Sequence, residues 1–236
     1  MTRLYVVEGL PCSGKSTAAA RLAEMLRVRG RRVCCVDEGT LEHPADYEFH
    51  AWRDGQVIPL AGLMEEALRE LLPFKIYDGL PWETEAPVML DKWREFVRTV
   101  EADTDYVFNC CLLQNPMCET MMRFGMSEEE SAAHIRQIAE IIRPLSPVVV
   151  YLHTADPAAA VRACAKERPG WLEAVMDYHV NGAYGRRIEA SGFAGYIACL
   201  EERQRREVRI LAELPLSGHV CHDPRKNLTE LLQTII

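Results

Sequence analysis

The sequence predicts an α/β protein: a parallel sheet wrapped by helices on both faces. Three observations predict it. The chain opens as strand, glycine loop and helix over residues 4–29. Short runs of β-favouring residues then alternate with helix-length amphipathic stretches to the end of the chain. The strand expected over residues 147–153 has a continuous apolar run before its final histidine, as in a strand buried on both faces.

Each element has its own local reason. Residues 4–7 are apolar and rich in β-branched side chains, and the glycines of residues 9–14 end the strand. Ala19, Leu22, Ala23 and Leu26 make a helical stripe over 16–29, with Gly30 as the stop. A second strand over 32–36 ends at Asp37-Glu38-Gly39. Residues 40–103 make a long excursion with helices expected near 60–72 and 90–100, divided by Pro73, Gly79, Pro81 and Pro87. A third strand is expected over 106–113. Ser127-Glu128-Glu129-Glu130 is a capping box that starts a helix running to about 142. After the 147–153 strand come helices at 157–166, 171–189 and 193–213, a fifth strand at 218–221 and a closing helix over 227–236. No internal repeat is present. The expected organisation is one domain, 1–236, with a helical substrate-side insertion over about 40–103 and a lid over about 154–190.

Composition narrows the class. The chain has 236 residues, 48% of them apolar, and a formal net charge of -8. That is enough for a sizeable core, and an acidic chain without a basic block is a poor nucleic-acid binder. Arg27, Arg29, Arg31 and Arg32 read as a solvated helix end complementing its dipole. Nine cysteines without any C-x-x-C pair argue against a disulfide framework or a zinc site, and fit a reducing cytoplasm. Cys34-Cys35 and Cys110-Cys111 read as inert apolar strand ends. No signal peptide and no membrane-spanning run are expected.

The most specific feature is G-x-x-x-x-G-K-[ST], satisfied by Gly9, Gly14, Lys15 and Ser16. A loop whose backbone N–H groups must converge on one anion needs glycine at its ends, and the helix behind it adds a positive dipole end. Gly9, Pro11, Cys12, Ser13, Gly14, Lys15, Ser16 and Thr17 therefore form the expected nucleotide loop. Lys15 meets the β- and γ-phosphates of ATP and the Ser16 hydroxyl meets Mg2+. Alkylation of Cys12 should obstruct the loop.

Such a loop needs partner acids. Asp37 and Glu38 follow strand two, at the carboxyl edge where parallel sheets bind ligands. Either can hold Mg2+ through water or take a proton from an acceptor hydroxyl, and the sequence does not separate them. Strand three runs into Asn109, where an acid usually orients the metal; Asn109 can reach a coordinated water but brings no charge. Asp105 precedes that strand, at the wrong end. Gln114 sits at the ligand edge and can bond a base or sugar, or only a buried turn. His50 and Trp52 suit either a substrate pocket or core packing. Beyond Asp156-Pro157, Arg162, Lys166 and Arg168 lie on an expected lid helix, followed by Arg186 and Arg187, which read either as lid charge or as a solvated face.

These residues carry a resemblance. Val6-Val7-Glu8-Gly9 leading into Gly14-Lys15-Ser16-Thr17, the acidic turn Asp37-Glu38-Gly39 and the stretch 152–168 resemble the thymidylate kinase and deoxynucleoside kinase group. The order of elements agrees over almost the full chain. The resemblance implies the three-layer α/β/α P-loop sandwich with a five-stranded parallel sheet, ATP with Mg2+, and γ-phosphate transfer to a nucleoside or nucleotide. It makes Lys15 and Ser16 the nucleotide-site residues, Glu38 or Asp37 the acid near the acceptor, and Arg162 or Arg168 the lid charge. Two departures stand out: Asn109-Cys110 replaces an acidic-basic pair, and Val36-Asp37-Glu38-Gly39 replaces Arg-Glu-Pro-Gly. A kinase for another hydroxyl acceptor, such as a sugar or antibiotic, and a nucleotide-binding regulatory protein with little turnover remain as alternatives. A homodimer paired through surface helices is an expectation by analogy with such sheets.

Overall fold

The computed structural model describes residues 2–236. The chain divides into two compact units, one of residues 1–38 with 101–236 and one of residues 39–100.

The larger unit is a five-stranded, all-parallel sheet between helical layers. The strands are β1 (Leu4–Gly9), β2 (Arg32–Val36), β5 (Thr104–Asn109), β6 (Val148–His153) and β7 (Ser217–His222), in the order β2-β5-β1-β6-β7. β1 is central, with Val7 beside Asn109 on one side and Val150 on the other. Its side chains are buried on both faces, as the sequence pattern requires of a central parallel strand.

On one face Tyr5, Val7, Val107, Val150 and Leu152 pack against Ala18, Ala19, Leu22 and Leu26 of α1 (Lys15–Val28) and Leu228 and Leu232 of α11 (Pro224–Ile235). Tyr151 alternates to the opposite face, where its hydroxyl meets Glu207 of α10 (Gly192–Glu213). The capping box forms as read: Ser127 Oγ accepts from the Glu130 N–H and Glu130 returns the bond, starting α6 (Glu128–Ile142). Between β6 and α10 run α7 (Pro157–Glu167), α8 (Trp171–Asn181) and α9 (Ala183–Arg187). The expected helix over 171–189 is thus two helices. Gly182 divides them, and a Cβ there would come 2.4 Å from the Met122 carbonyl oxygen.

Three further readings need correction. β5 ends at Asn109, not at 113, because Cys110 and Cys111 both take left-handed φ (63° and 88°), so these two cysteines lie beyond the strand. Asp105 lies inside β5. It accepts from Arg31 Nε and Nη2, both at 2.8 Å, and from the Arg3 backbone N–H at 3.0 Å. Arg31 therefore ties the start of β2 to β5 rather than simply facing solvent. The far end of the sheet is where Asp105 was expected to be.

The smaller unit is not purely helical. β3 (His50–Arg53) and β4 (Gln56–Pro59) form an antiparallel hairpin closed by Asp54 (φ 53°) and Gly55 (φ 80°), the two consecutive positive φ values of a type I′ turn. α2 (Glu65–Leu71), the single turn α3 (Ile76–Gly79) and α4 (Trp82–Thr99) follow. α4 starts eight residues before the expected 90 and contains Pro87. Glu83 and Glu85 sit in its first turn, where they favour the helix dipole, and a proline near the start removes a single ladder bond. The core of this unit is Ile76, Tyr77, Leu80, Val88 and Met89, with Tyr47, Trp52 and Val57 against it. No helix among the described residues is long and apolar enough to cross a membrane.

Candidate functional site

β1 delivers the chain to the carboxyl edge of the sheet at Gly9, where φ is 144° and a Cβ would lie 2.7 Å from the Leu152 carbonyl oxygen and 2.8 Å from Ser13 Oγ. Only glycine fits, because β6 runs alongside. The loop then curls back: Cys12 is left-handed at φ 68° and Gly14 at φ 93°, and the Ser13 N–H donates to the Leu10 carbonyl at 3.2 Å. Lys15 opens α1 and is buried, its Nζ donating to the Leu10 carbonyl at 3.2 Å. The ammonium thus lies across the mouth of the loop, held by one neutral oxygen that phosphate oxygens can outcompete. Thr17 is exposed on the first turn of α1, and Pro11 is half-buried in the loop.

The metal side is assembled by three strand exits. Asn109 Nδ2 donates to Ser16 Oγ at 3.0 Å and to Asp37 Oδ1 at 3.4 Å, so the structure brings Ser16, Asn109 and Asp37 together. Asn109 is buried, and among the described residues its Oδ1 has no hydrogen-bond partner. The Ser16 hydroxyl and the Asp37 carboxylate, drawn together by the Asn109 amide group, are hard oxygen donors of the kind Mg2+ takes, directly or through its waters. These residues fit a magnesium nucleotide.

Asp37 and Glu38 diverge. Asp37 turns to Asn109, whereas Glu38 accepts from Gln114 Nε2 at 2.6 Å. Gln114 is buried, and among the described residues its Oε1 has no hydrogen-bond partner. The two acids therefore serve different sides: Asp37 the Ser16 side, Glu38 the side of Gln114. His50 and Trp52 lie on β3 of the smaller unit. His50 is buried with Nδ1 lacking a hydrogen-bond partner, its ring edge-on to Tyr47 at 5.1 Å, and burial holds its imidazole below the usual range. Trp52 packs on that unit's own core.

The two arginines expected on a lid, Arg162 and Arg168, also separate. On α7, capped by Asp156 accepting from the Ala159 N–H at 2.8 Å, Arg162 lies over the Phe193 ring at 4.6 Å. Arg168 lies 6.0 Å from the Trp171 ring, and its charge reaches the Cys12 thiol in the phosphate loop. Burial, then a hydrogen bond with Cys164, pushes the Cys12 thiol up to about 12, so it is a protonated filler at neutral pH and slow to alkylate.

Sequence reasoning missed Glu8. It sits one residue before the loop, fully buried, and its carboxylate accepts from the backbone N–H groups of Leu112 (2.8 Å), Leu113 (2.9 Å) and Gln114 (3.2 Å). Burial pushes this carboxyl up to about 7, against the pull of the Leu113 N–H. The signal was available: an acid in a six-residue strand that is otherwise apolar. Behind it lies a second buried group. Arg203 Nε is 3.1 Å from Glu207 Oε1, Tyr151 donates to Glu207 Oε2 at 2.6 Å, and Arg203 Nη1 reaches Cys118 Sγ at 3.2 Å. Cys118 opens a π-helical turn (Cys118–Arg123), a local widening that often marks functional sites.

Comparisons with known proteins add little to this geometry. A family model described as chromatin associated protein KTI12 matches residues 2–54, a minor part of the chain that contains the phosphate loop. No protein of curated function matches the sequence. Among solved structures, the YorR protein of Bacillus subtilis in complex with phosphorylated GDP superposes with a TM-score of 0.44 at 15% identity, covering 98% of this chain and 92% of that one. Deoxyadenosine kinase from M. mycoides, with products dCMP and dCDP bound, gives 0.44 at 12% identity, covering 98% and 95%. Both superpositions are loose, and neither likeness reaches function.

Proposed function

We propose that this chain is an ATP- and Mg2+-dependent phosphotransferase whose acceptor is a nucleoside or nucleotide, in the manner of the thymidylate and deoxynucleoside kinases. The observation that carries the reading is the convergence of Ser16, Asn109 and Asp37 beside Lys15, with Glu38 left over for the acceptor. In this reading the loop N–H groups and Lys15 bind the β- and γ-phosphates. Ser16 and Asp37 would hold Mg2+, with Asn109 beside them to position a coordinated water. When bound, the metal would supply charge neutralisation to the phosphoryl group. Glu38, positioned by Gln114, receives the acceptor's hydroxyl proton, and Arg168 closes on the developing charge.

The test is an ADP-release screen with ATP and Mg2+ over nucleosides, nucleoside monophosphates, sugars and aminoglycosides, with a no-acceptor control. Acceptor-dependent release is expected for a nucleoside or nucleotide. Lys15→Ala should lower it by about a thousandfold or more and weaken ATP binding on the order of tenfold. Undiminished transfer by Lys15→Ala would discard this active site. Release only with a sugar or aminoglycoside would keep the chemistry and replace the acceptor.

A regulatory nucleotide-binding role is the second reading. It is favoured by one observation, the neutral Asn109 where a metal-orienting acid is usual. Tight ATP binding with no acceptor-dependent release would select it.

A further inference from the structure

The exit of β5 lacks the means by which chains usually turn. Asn109-Cys110-Cys111-Leu112-Leu113-Gln114 contains no glycine, yet Cys110 and Cys111 both take left-handed φ, a conformation that side chains with a Cβ disfavour. Something must hold the segment there. The Cys110 N–H is fixed by the Val7 carbonyl at 2.9 Å, and the N–H groups of the three residues after Cys111, Leu112, Leu113 and Gln114, all converge on the Glu8 carboxylate. Three backbone donors converge on one fully buried carboxyl group, and their bonds become charge-assisted, the stronger kind, when that group ionises. What they orient is specific. Gln114 is the residue whose side chain meets Glu38 at 2.6 Å, and Asn109, at the other end of the segment, meets Ser16 and Asp37. Glu8 is itself joined to Gly9, the first residue of the phosphate loop.

We propose that Glu8 is a positioning residue: its carboxylate clamps the backbone of residues 112–114 so that Gln114 holds Glu38 at the acceptor side, in register with the phosphate loop. This rests on the phosphotransferase reading for the meaning of the acceptor side. The clamp itself rests on the bonds described.

The experiment compares wild type with Glu8→Gln, which keeps the shape but turns an amide donor toward one of the three N–H groups. Amide hydrogen exchange should accelerate on the order of tenfold or more at Leu112, Leu113 and Gln114 while the loop amides of residues 13–16 change little. In transfer assays the acceptor KM should rise on the order of tenfold with ATP affinity within about twofold. Glu8→Asp, which keeps the charge, should recover part of the loss. Unchanged exchange at residues 112–114 overturns the clamp. An ATP affinity that falls as far as the acceptor's overturns the positioning role and makes Glu8 a phosphate-loop residue. A third arm needs no variant: in wild type the three amide resonances should titrate together with one midpoint near the Glu8 value of about 7. Glu207 and Lys15 act on Glu8, and Tyr151 and Arg203 stand beside Glu207, so a midpoint shared with these groups but absent from the three amides also overturns it. If wild type transfers phosphate to no acceptor, the phosphotransferase reading falls, while the exchange and titration arms still decide the clamp.

Discussion

β1 and β5 leave the sheet side by side, with Val7 opposite Asn109, and they turn by different means. β1 turns through Gly9, at a place where any side chain would strike the neighbouring strand. β5 turns through two cysteines in a conformation that disfavours them, held by a carboxylate from β1. The first turn is built into the residue type. The second is built into a contact, and that contact comes from a residue more than a hundred positions earlier. A turn of the first kind announces itself in a sequence; one of the second kind does not.

The contrast can be broken at several points. Gly9→Ala should do the most damage, because it meets a backbone oxygen at 2.7 Å as well as an unfavourable φ. We expect a loss on the order of 3 kcal/mol in chemical denaturation and no measurable ATP binding. If the variant binds ATP normally, the loop does not depend on that close approach.

A smaller effect concerns pH. The folded carboxyl of Glu8 lies above its ordinary value of 4.5, so folding takes up a proton there. Its contribution to stability is fully present below about 4.5 and is lost as pH rises toward about 7. Wild type should therefore lose stability relative to Glu8→Gln across that window, by an amount on the order of 1–3 kcal/mol. Parallel stability curves for the two proteins would show that the three N–H donors, not burial, govern Glu8.

The smallest effect tests the strain itself. At position 111, glycine should be more stabilising than alanine by about 1 kcal/mol, since both delete the buried thiol and only glycine accepts φ 88° freely. Alanine equal to or better than glycine would mean that the left-handed turn carries no strain for Glu8 to hold.

The legible parts of the molecule share a property: their cause lies within a few residues. The phosphate loop, the Ser127–Glu130 cap and the buried run of β6 were all readable, and so was the placing of Asp37, Glu38 and Asn109 at the carboxyl ends of their strands. The Asp54-Gly55 hairpin signal was equally local and was passed over, because the flanking strands are four residues each and only partly apolar. The illegible parts depend on distant partners. Arg31 looked solvated until Asp105 was found across the sheet, and the split between Asp37 and Glu38 depends on Gln114, some seventy-six positions away. The β5 exit depends on Glu8 in the same way.

The strand order also has a consequence during synthesis. β1 is made first but sits in the middle of the sheet, where Leu4 needs Tyr106 and Tyr5 needs Val148. Its apolar side chains therefore leave the ribosome long before either neighbour exists, and the phosphate loop has no wall until β6 supplies Leu152. Such long-range pairing folds slowly and exposes strand edges while it waits. A nascent chain truncated before residue 148 would carry the complete nucleotide motif in its sequence and still lack the sheet that shapes it.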